Sequence, residues 1–486
     1  MKFKSGLICL LITAGIIPWL MTGCLKPVKY AGELDTQKVE TTYGDIALSG
    51  EVYDRWWEKY GDAALNEYVR LVLEESPTLQ NAYLKLLDSE LSIKQAHSGY
   101  YPNLTFNAGA GYGGQVSENS SSDPNYNLGL TLSYEIDLWG KVRAQSLVSE
   151  LSQASVQDSA ESAALSLVAN VVTNWFNIQY YRDRKALIEQ LLAISESYYE
   201  LVQEYYRTGQ TNGMDVLEQH QQLETLRATL KELDTNIRIT QHSLEILSGG
   251  KARPEVEGSL PQAIDVGGTV DADQLLLTRP DLRTAKRSAQ KADAQIVIAL
   301  ADRLPSLRLS ASLSFRSASI TELFQRLMWD LAASFSASLF DGFQKTTAID
   351  RARITYITER YSYALAVMNA IAEVEQAILK LQLREQQLTD AQAQLERQKE
   401  ILEVSRQYFI NGNLDYSRVL AALKSMISAS QSELEARRTL LLAQIDLFKA
   451  MGGSTWLKET SEQGAKRARE QLEQLKDGKE KSDESS

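Results

Sequence analysis

The chain repeats itself, and the repeat limits its fold more than any other feature. SPTLQNAY begins at Ser76 and RPDLRTAK at Arg279, so Pro77, Leu79 and Ala82 align with Pro280, Leu282 and Ala285. YPNLTF matches LPSLRL, pairing Pro102 with Pro305 and Leu104 with Leu307. YYRTGQTNGMDVL answers YFINGNLDYSRVL, which sets Tyr205, Gly209, Val216 and Leu217 opposite Tyr408, Gly412, Val419 and Leu420. Gly249 falls opposite Gly452, and the offset is 203 throughout except at Gly140 and Gly342, where it is 202. Generic amphipathic helices resemble one another, but they do not place proline, glycine and turn residues at one offset.

The repeat divides the chain. Residues 65–249 form repeat 1 and 272–453 repeat 2, joined by a Gly- and Pro-rich linker at 250–271. Residues 24–64 precede them, and the charged 454–486 reads as a disordered tail. Each repeat has one predicted order. In the first, a helix over 65–100 ends before Pro102, strands follow at 103–113 and 127–139, and helices at 141–206 and 215–247 flank the turn RTGQTNG. In the second, the helix is 272–303, the strands 306–315 and 331–340, and helices 344–409 and 415–450 flank INGN.

The strand runs alternate with period two. Leu128, Leu130, Leu132, Tyr134 and Ile136 share a face against Gly129, Thr131, Ser133 and Glu135. Leu104, Phe106, Ala108, Ala110 and Tyr112 share one too, as do Leu307, Leu309, Ala311, Leu313 and Phe315, and Leu331, Ala333, Phe335, Ala337 and Leu339. A half-buried soluble sheet has the same alternation. Here the polar faces are crowded with small and hydroxyl residues, and the hairpin segment GGQVSENSSSDPN is long and polar. Each run matches the roughly 9–11 residues of a membrane-spanning strand, apolar outward and polar inward. Four strands cannot close a barrel, and an open edge in lipid leaves backbone groups unsatisfied. Two copies supply eight strands, whose interior is filled by side chains; three supply twelve, which leave a channel. The long helices, at about 1.5 Å per residue, reach roughly 100 Å. Val168, Val171, Val172, Trp175 and Ile178 recur at helical spacing, so these helices need neighbours along their length, as in a coiled coil.

The N-terminus indicates export. Lys2 and Lys4 precede an apolar run, Gly6 to Leu20, and then MTGC at 21–24. This resembles a bacterial lipoprotein signal, with Met21 where leucine is commoner. Residues 1–23 are expected to be removed and Cys24 to carry lipid; a plain signal peptide cut near Gly23 is the alternative. The cysteines are Cys9 and Cys24, so the body offers no thiolate site. A net charge of −12 argues against nucleic acid as a partner. His97, His220 and His242 stand apart with no catalytic or ligand spacing, and no phosphate-loop spacing occurs. No cofactor, metal or enzymatic activity is expected.

RWWEKYGDAALNEYVRLVLEESPTL at 55–79, taken with the repeat and the lipoprotein signal, resembles the TolC-like outer membrane efflux proteins, in the lipoprotein branch that serves resistance-nodulation-division pumps. The resemblance covers about Trp56 to Gly453. It implies a mostly α fold with a transmembrane β-barrel: a homotrimer with a 12-stranded barrel in the outer membrane, four strands per chain, continuing into a long α-helical tunnel in the periplasm. An equatorial belt would draw on 29–60, 250–271 and the C-terminal region. The implied partners are a periplasmic adaptor, an inner-membrane transporter and outer membrane lipids. The implied function is the outer channel of a tripartite efflux system, passively conducting exported substrates.

The family docks its adaptor at the helical tips, and the matching positions are Gly209, Asp215, Val216, Leu217, Gly412, Val419 and Leu420. The acidic gate positions beside the second Val-Leu pair read Arg418 and Ala421 here, so Asp415 and Arg418 are the gate candidates. Two rivals are an outer channel for type I protein secretion and a periplasmic coiled-coil scaffold. The lipoprotein signal disfavours the first, and four lipid-facing strands the second.

Overall fold

A computed structural model describes residues 55–114, 122–264, 266, 278–452 and 455–483. The signal peptide, Cys24 and the beginning of the 24–64 segment lie outside these residues, as does most of 265–277. The chain forms two compact units. Among the described residues, one comprises Asp88–Ser155 and Ala285–Tyr363, and the other the rest.

The first unit holds a four-stranded antiparallel sheet in the order β1 (Asn103–Gly114), β2 (Ser122–Ile136), β3 (Ser306–Ser317), β4 (Leu327–Ser336). Its registers align the alternation seen in sequence. Phe106 faces Leu130, which faces Leu313, which faces Trp329. Leu104, Leu132, Ala311 and Leu331 form a second such row. The apolar face is open: Phe106 is 62%, Trp329 78% and Leu331 74% exposed. Across the other face run Thr105, Thr131, Ser312 and Asp330. Asn107 donates to the Thr131 hydroxyl at 3.3 Å, and Arg308 pairs with Glu135 at 3.3 Å. Gly129 fits because a Cβ there would stand 2.8 Å from the Leu313 carbonyl oxygen. The Trp139 indole N–H donates to the Pro305 carbonyl at 2.7 Å, tying the end of one hairpin to the start of the next.

Two strands depart most from the sequence reading. β2 begins earlier, because Asp123–Tyr126 pair with Ala110–Gly113. It stops at Ile136, and the Asp137 carboxylate then accepts from the amides of Val142 and Arg143 at 3.1 and 3.3 Å. β4 runs over Leu327–Ser336 instead of 331–340, since Leu327 and Trp329 continue the apolar face. A 3-10 turn, Ile320–Gln325, precedes it and sets Phe324 edge-on to Phe315 at 5.3 Å.

The helices are α1 (Ala63–Glu75), α2 (Pro77–His97), α3 (Lys141–Arg207), α4 (Gly213–Leu247), α5 (Pro280–Arg303), α6 (Gln344–Ile410), α7 (Tyr416–Met451) and α8 (Thr455–Asp483). The single helix expected at 65–100 is broken at Ser76, whose ψ of 123° is extended. Pro77 disfavours a helical residue before it and itself opens the next helix. Pro280 starts α5 the same way; the start expected at 272 lies outside the described residues.

The second unit has an apolar core centred on α3. Val168, Val171, Val172, Trp175, Phe176 and Ile178 are all 1% exposed or less. Trp56 stacks on Phe448 at 5.1 Å, and Trp57 meets Trp456 edge-on at 5.0 Å. Asp62 caps α1 through the Leu65 amide at 3.0 Å and accepts from the Trp175 indole at 2.8 Å. The repeat appears here as a matched pair of joints. Gly249 (φ +68°) abuts Pro77 and the Glu75 carbonyl, and Gly452 (φ +90°) abuts Arg279, with no room for a Cβ beside Arg279. Arg279 adds a clamp of its own, donating to the Ala450 carbonyl and to Glu373, each at 2.7 Å.

The disordered tail expected at 454–486 is overturned: Thr455–Asp483 is helix α8. Its apolar and small residues form one stripe. Leu457, Ser461, Ala465 and Ala468 fall three or four apart and are buried, and Trp456 is 2% exposed. Charge on the remaining faces made the composition look disordered. Gly464 lies on this stripe under the Tyr83 ring, where a Cβ would come within 2.1 Å of a ring carbon.

Two outcomes follow. Leu132→Arg, on the apolar face, is expected to abolish recovery of folded protein from outer membranes, because a mid-membrane arginine costs about 2–4 kcal/mol. Ser133→Arg should be recovered near parental yield; equal yields would break the assignment of faces. Gly464→Val forces α8 off Tyr83, and overpacking of this kind costs about 1–3 kcal/mol. Its thermal unfolding midpoint should fall measurably, while Ser461→Ala on the same stripe leaves it nearly unchanged.

Candidate functional site

The helical tips lie in the second unit, where α3 turns into α4 and α6 into α7. The two turns are built alike. The amide of Gln210 donates to the Tyr205 carbonyl at 2.8 Å, and that of Asn413 to Tyr408 at 2.9 Å, each passing over a glycine with positive φ. Gly209 (φ +76°) and Gly412 (φ +73°) take the left-handed conformation that ends a helix in a six-to-one bond. A side chain at either position would be strained.

The tips are joined by a small apolar cluster. Val202 of α3 packs with Val419 and Leu420 of α7, and Val216, Tyr198, Leu402 and Phe409 close around them. Tyr205 meets Phe409 edge-on at 5.2 Å. Burial pushes the Tyr198 phenol above its ordinary range, with a smaller opposing effect from Arg406.

The structure therefore divides the residues singled out in sequence. Val419 and Leu420 are 0% and 2% exposed, so they hold the hairpins together and present no surface. Leu217, the repeat counterpart of Leu420, is 66% exposed. Met214, Tyr206, Tyr408 and Ile410 are exposed beside the turns and extend the apolar surface of the tips. Asp215 belongs to the start of α4. Its amide donates to the Asn212 cap at 3.0 Å, and its carboxylate accepts from the Thr211 hydroxyl.

Asp415 occupies the cap position of α7 without a side-chain cap bond. Arg418 donates its backbone amide to the Asp415 carbonyl at 3.1 Å. Among the described residues no ion pair joins their side chains. Both are exposed, as is Ala421, on the side of α7 away from Val419 and Leu420.

Two stabilising contacts near the tips had no signal in the sequence. The buried Gln219 amide donates to the Ser195 carbonyl at 2.8 Å, and Lys424 of α7 pairs with Glu218 of α4 at 3.7 Å. The three histidines are engaged locally: His97 with Glu150, His242 with Glu245, and His220 against the Tyr199 ring.

The second functional surface is the polar face of the sheet, lined by Asn107, Thr131, Ser133, Glu135, Arg308, Ser310 and Ser312. No helix among the described residues is long and apolar enough to cross a membrane.

The model of the family described as "Outer membrane efflux protein" matches residues 68–250 and 272–453, which are the two repeats. The chain belongs to this family. Among curated relatives of the efflux protein, "Probable outer membrane lipoprotein SilC" of Salmonella typhimurium is 24% identical over 82% of this chain and 87% of its own length. "Cation efflux system protein CusC" of Escherichia coli K12 is 23% identical over 82% and 88%. Among solved structures, the outer-membrane channel OprN superposes with a TM-score of 0.79 at 22% identity, covering 85% of this chain and 98% of that one. The fold is accordingly that of the family's channels, a barrel to which each chain gives four strands together with an α-helical tunnel. It is the fold of an outer-membrane efflux channel.

The tip cluster makes a prediction that separates structure from surface. Val419→Asp places a charge among apolar side chains and should raise amide exchange across 202–217 and 408–420 at least tenfold. Leu217→Asp, at an exposed position, should leave that exchange unchanged.

Proposed function

We propose that this chain is the outer-membrane channel of a tripartite efflux system. Three copies combine their four-stranded sheets into a 12-stranded barrel whose apolar face meets lipid and whose polar face meets water. An inner-membrane transporter supplies substrates through a periplasmic adaptor, and the channel passes them outward without choosing among them. The observation that carries the reading is the sheet: one face apolar and open along all four strands, the other polar, and two edges without partners among the described residues. A scaffold of coiled helices has no use for such a sheet. The reading assigns the chain no catalysis and no cofactor.

The adaptor docks on the exposed tip residues, with Leu217 at the centre and Gly209, Asp215, Gly412 and Val216 shaping the turns. Val419 and Leu420 act from beneath by fixing the two hairpins together. At the gate, three copies bring Arg418 around the axis of the narrowing tunnel, where Asp415, three residues earlier on nearly the same helical face, is the nearest opposing charge. Cys24 carries the lipid that anchors the mature N-terminus, and mass spectrometry of the purified protein should find it acylated.

Purified protein in a planar bilayer should conduct ions; no conductance from a correctly folded trimer would refute the channel. Leu217→Asp should keep conductance yet lose co-purification with the adaptor. Asp415→Ala should conduct more than the parent by leaving three arginines unopposed, and adding Arg418→Ala should bring conductance back toward the parent. If Asp415→Ala changes nothing, closure rests elsewhere.

A further inference from the structure

The two hairpins have the same register under the repeat offset. Asn103 faces Ser133 in the first, and Ser306 faces Ser336 in the second, each 203 residues on. The chain also contains one junction between repeats, where β2 pairs with β3: Ile136 faces Leu307, Glu135 faces Arg308 and Leu128 faces Phe315. A ring closed by copies of this chain has the same junction between β4 of one copy and β1 of the next. We propose that this intermolecular junction repeats the internal register. Leu339 then faces the next copy's Leu104, Ser338 its Thr105, Ser336 its Asn107 and Leu331 its Tyr112. The inference rests on the trimeric-barrel reading and gives that barrel its residue-level seam.

Three observations fit this register; the first and third favour it over a slip of two, and the second is compatible with it. The first is strand length. β2 continues past Ser133, its last partner on β1, because Tyr134–Ile136 pair with β3. The equivalent residues 337–339 follow the last paired residue of β4, Ser336, and pair with no strand among the described residues. Leu339 is 98% exposed there, and Leu104 on the β1 edge is 62% exposed. They are the repeat counterparts of Ile136 and Leu307, which face each other.

The second is backbone clearance. Across the internal junction Gly129 faces Ser314, and a Cβ on Gly129 would stand 3.0 Å from the Ser314 Cβ. The counterparts are Ala332 and Gly111. The glycine has changed strands, but the pair still holds one, so the close approach is preserved. A shift of two residues would set Ala332 against Gly109 or Gly113 and would break the match at Leu339 and Leu104.

The third is chemistry at the polar face. The internal junction carries the Glu135–Arg308 pair, and the counterparts are Ser338 and Thr105. Neither side of the seam places an unpaired charge opposite a hydroxyl. Around the closed barrel, three ion pairs alternate with three hydroxyl pairs at one level. A slip by two in one direction sets Ser338 against Asn107 and Thr105 against Phe340; in the other it sets Ser338 against Asn103 and Thr105 against Ser336, which moves the hydroxyl pair off the level of the Glu135–Arg308 pair.

Disulfide trapping reads the register directly. Facing residues in an antiparallel pair have Cα atoms about 4.5–5.5 Å apart, and diagonal ones about 7–8 Å. A disulfide requires roughly 4.4–6.8 Å. In the full chain, Ser338→Cys with Thr105→Cys, and Ser336→Cys with Asn107→Cys, should give covalent trimers as the main species on denaturing gels after oxidation. Ser338→Cys with Asn107→Cys, and Ser336→Cys with Thr105→Cys, should stay monomeric there. Cross-linking by the second set, or by neither set in protein whose native mass is trimeric, overturns the register. A monomeric or dimeric native mass of the parent would instead sink the trimer itself. Leu331→Cys with Tyr112→Cys, on the outer face, carries the same test if the lumen-side variants fail to assemble.

Discussion

The structure depends on a sheet whose two faces meet different solvents. Leucine and aromatic side chains can remain 60–80% exposed on one face only if hydrocarbon covers them, since in water each would forfeit the transfer free energy of an apolar side chain, about 1.5–3 kcal/mol. Serine, threonine and asparagine on the other face need water or one another. The register enforces this separation along the whole length of four strands, because a slip of one residue would exchange the faces. Glu135 and Arg308 occur together on the polar face for the same reason: each finds its counter-charge across the strands at 3.3 Å.

The second unit is organised by the duplication in a different way. Each repeat brings the end of its last helix back against the start of its proline-led helix, and both contacts use a glycine of positive φ set close against its neighbour. The partners have diverged. Pro77 offers only ring contacts to Gly249, whereas Arg279 beside Gly452 also satisfies the Ala450 carbonyl and reaches Glu373 and Asp281. Burial alone would favour an uncharged Asp281, but the guanidinium against it holds its carboxyl below the ordinary carboxylate range. The joints stand at equivalent places in the fold, and only the second is tied by a buried guanidinium.

The alternation of the strands was legible because one face stays apolar for ten residues, and the long helices because no proline interrupts them. The start of β4 was not legible: Asp330 reads as a break, although it belongs to the polar face and the alternation continues through Trp329 and Leu327. Helix α8 was hidden by its charges, since five small or apolar positions under Tyr83 and the tryptophans weigh little in a composition count. At the tips, the repeat identified Leu217 and Leu420 as equivalents but could not tell that one is exposed and the other buried. That difference comes from packing of α7 against α3, a contact between residues more than two hundred apart in sequence.

The two unpartnered edges of the sheet have a genetic consequence. A lone chain has two such edges, an open pair of chains also has two, and only the closed ring has none. Each association pairs one edge of each partner, but two edges stay open until the last copy closes the ring, so one faulty copy spoils the ring it enters. An allele that damages only the β1 or β4 edge should be dominant over the normal one. With equal expression of both, about one ring in eight would contain three sound copies if chains mix at random in a closed threefold ring.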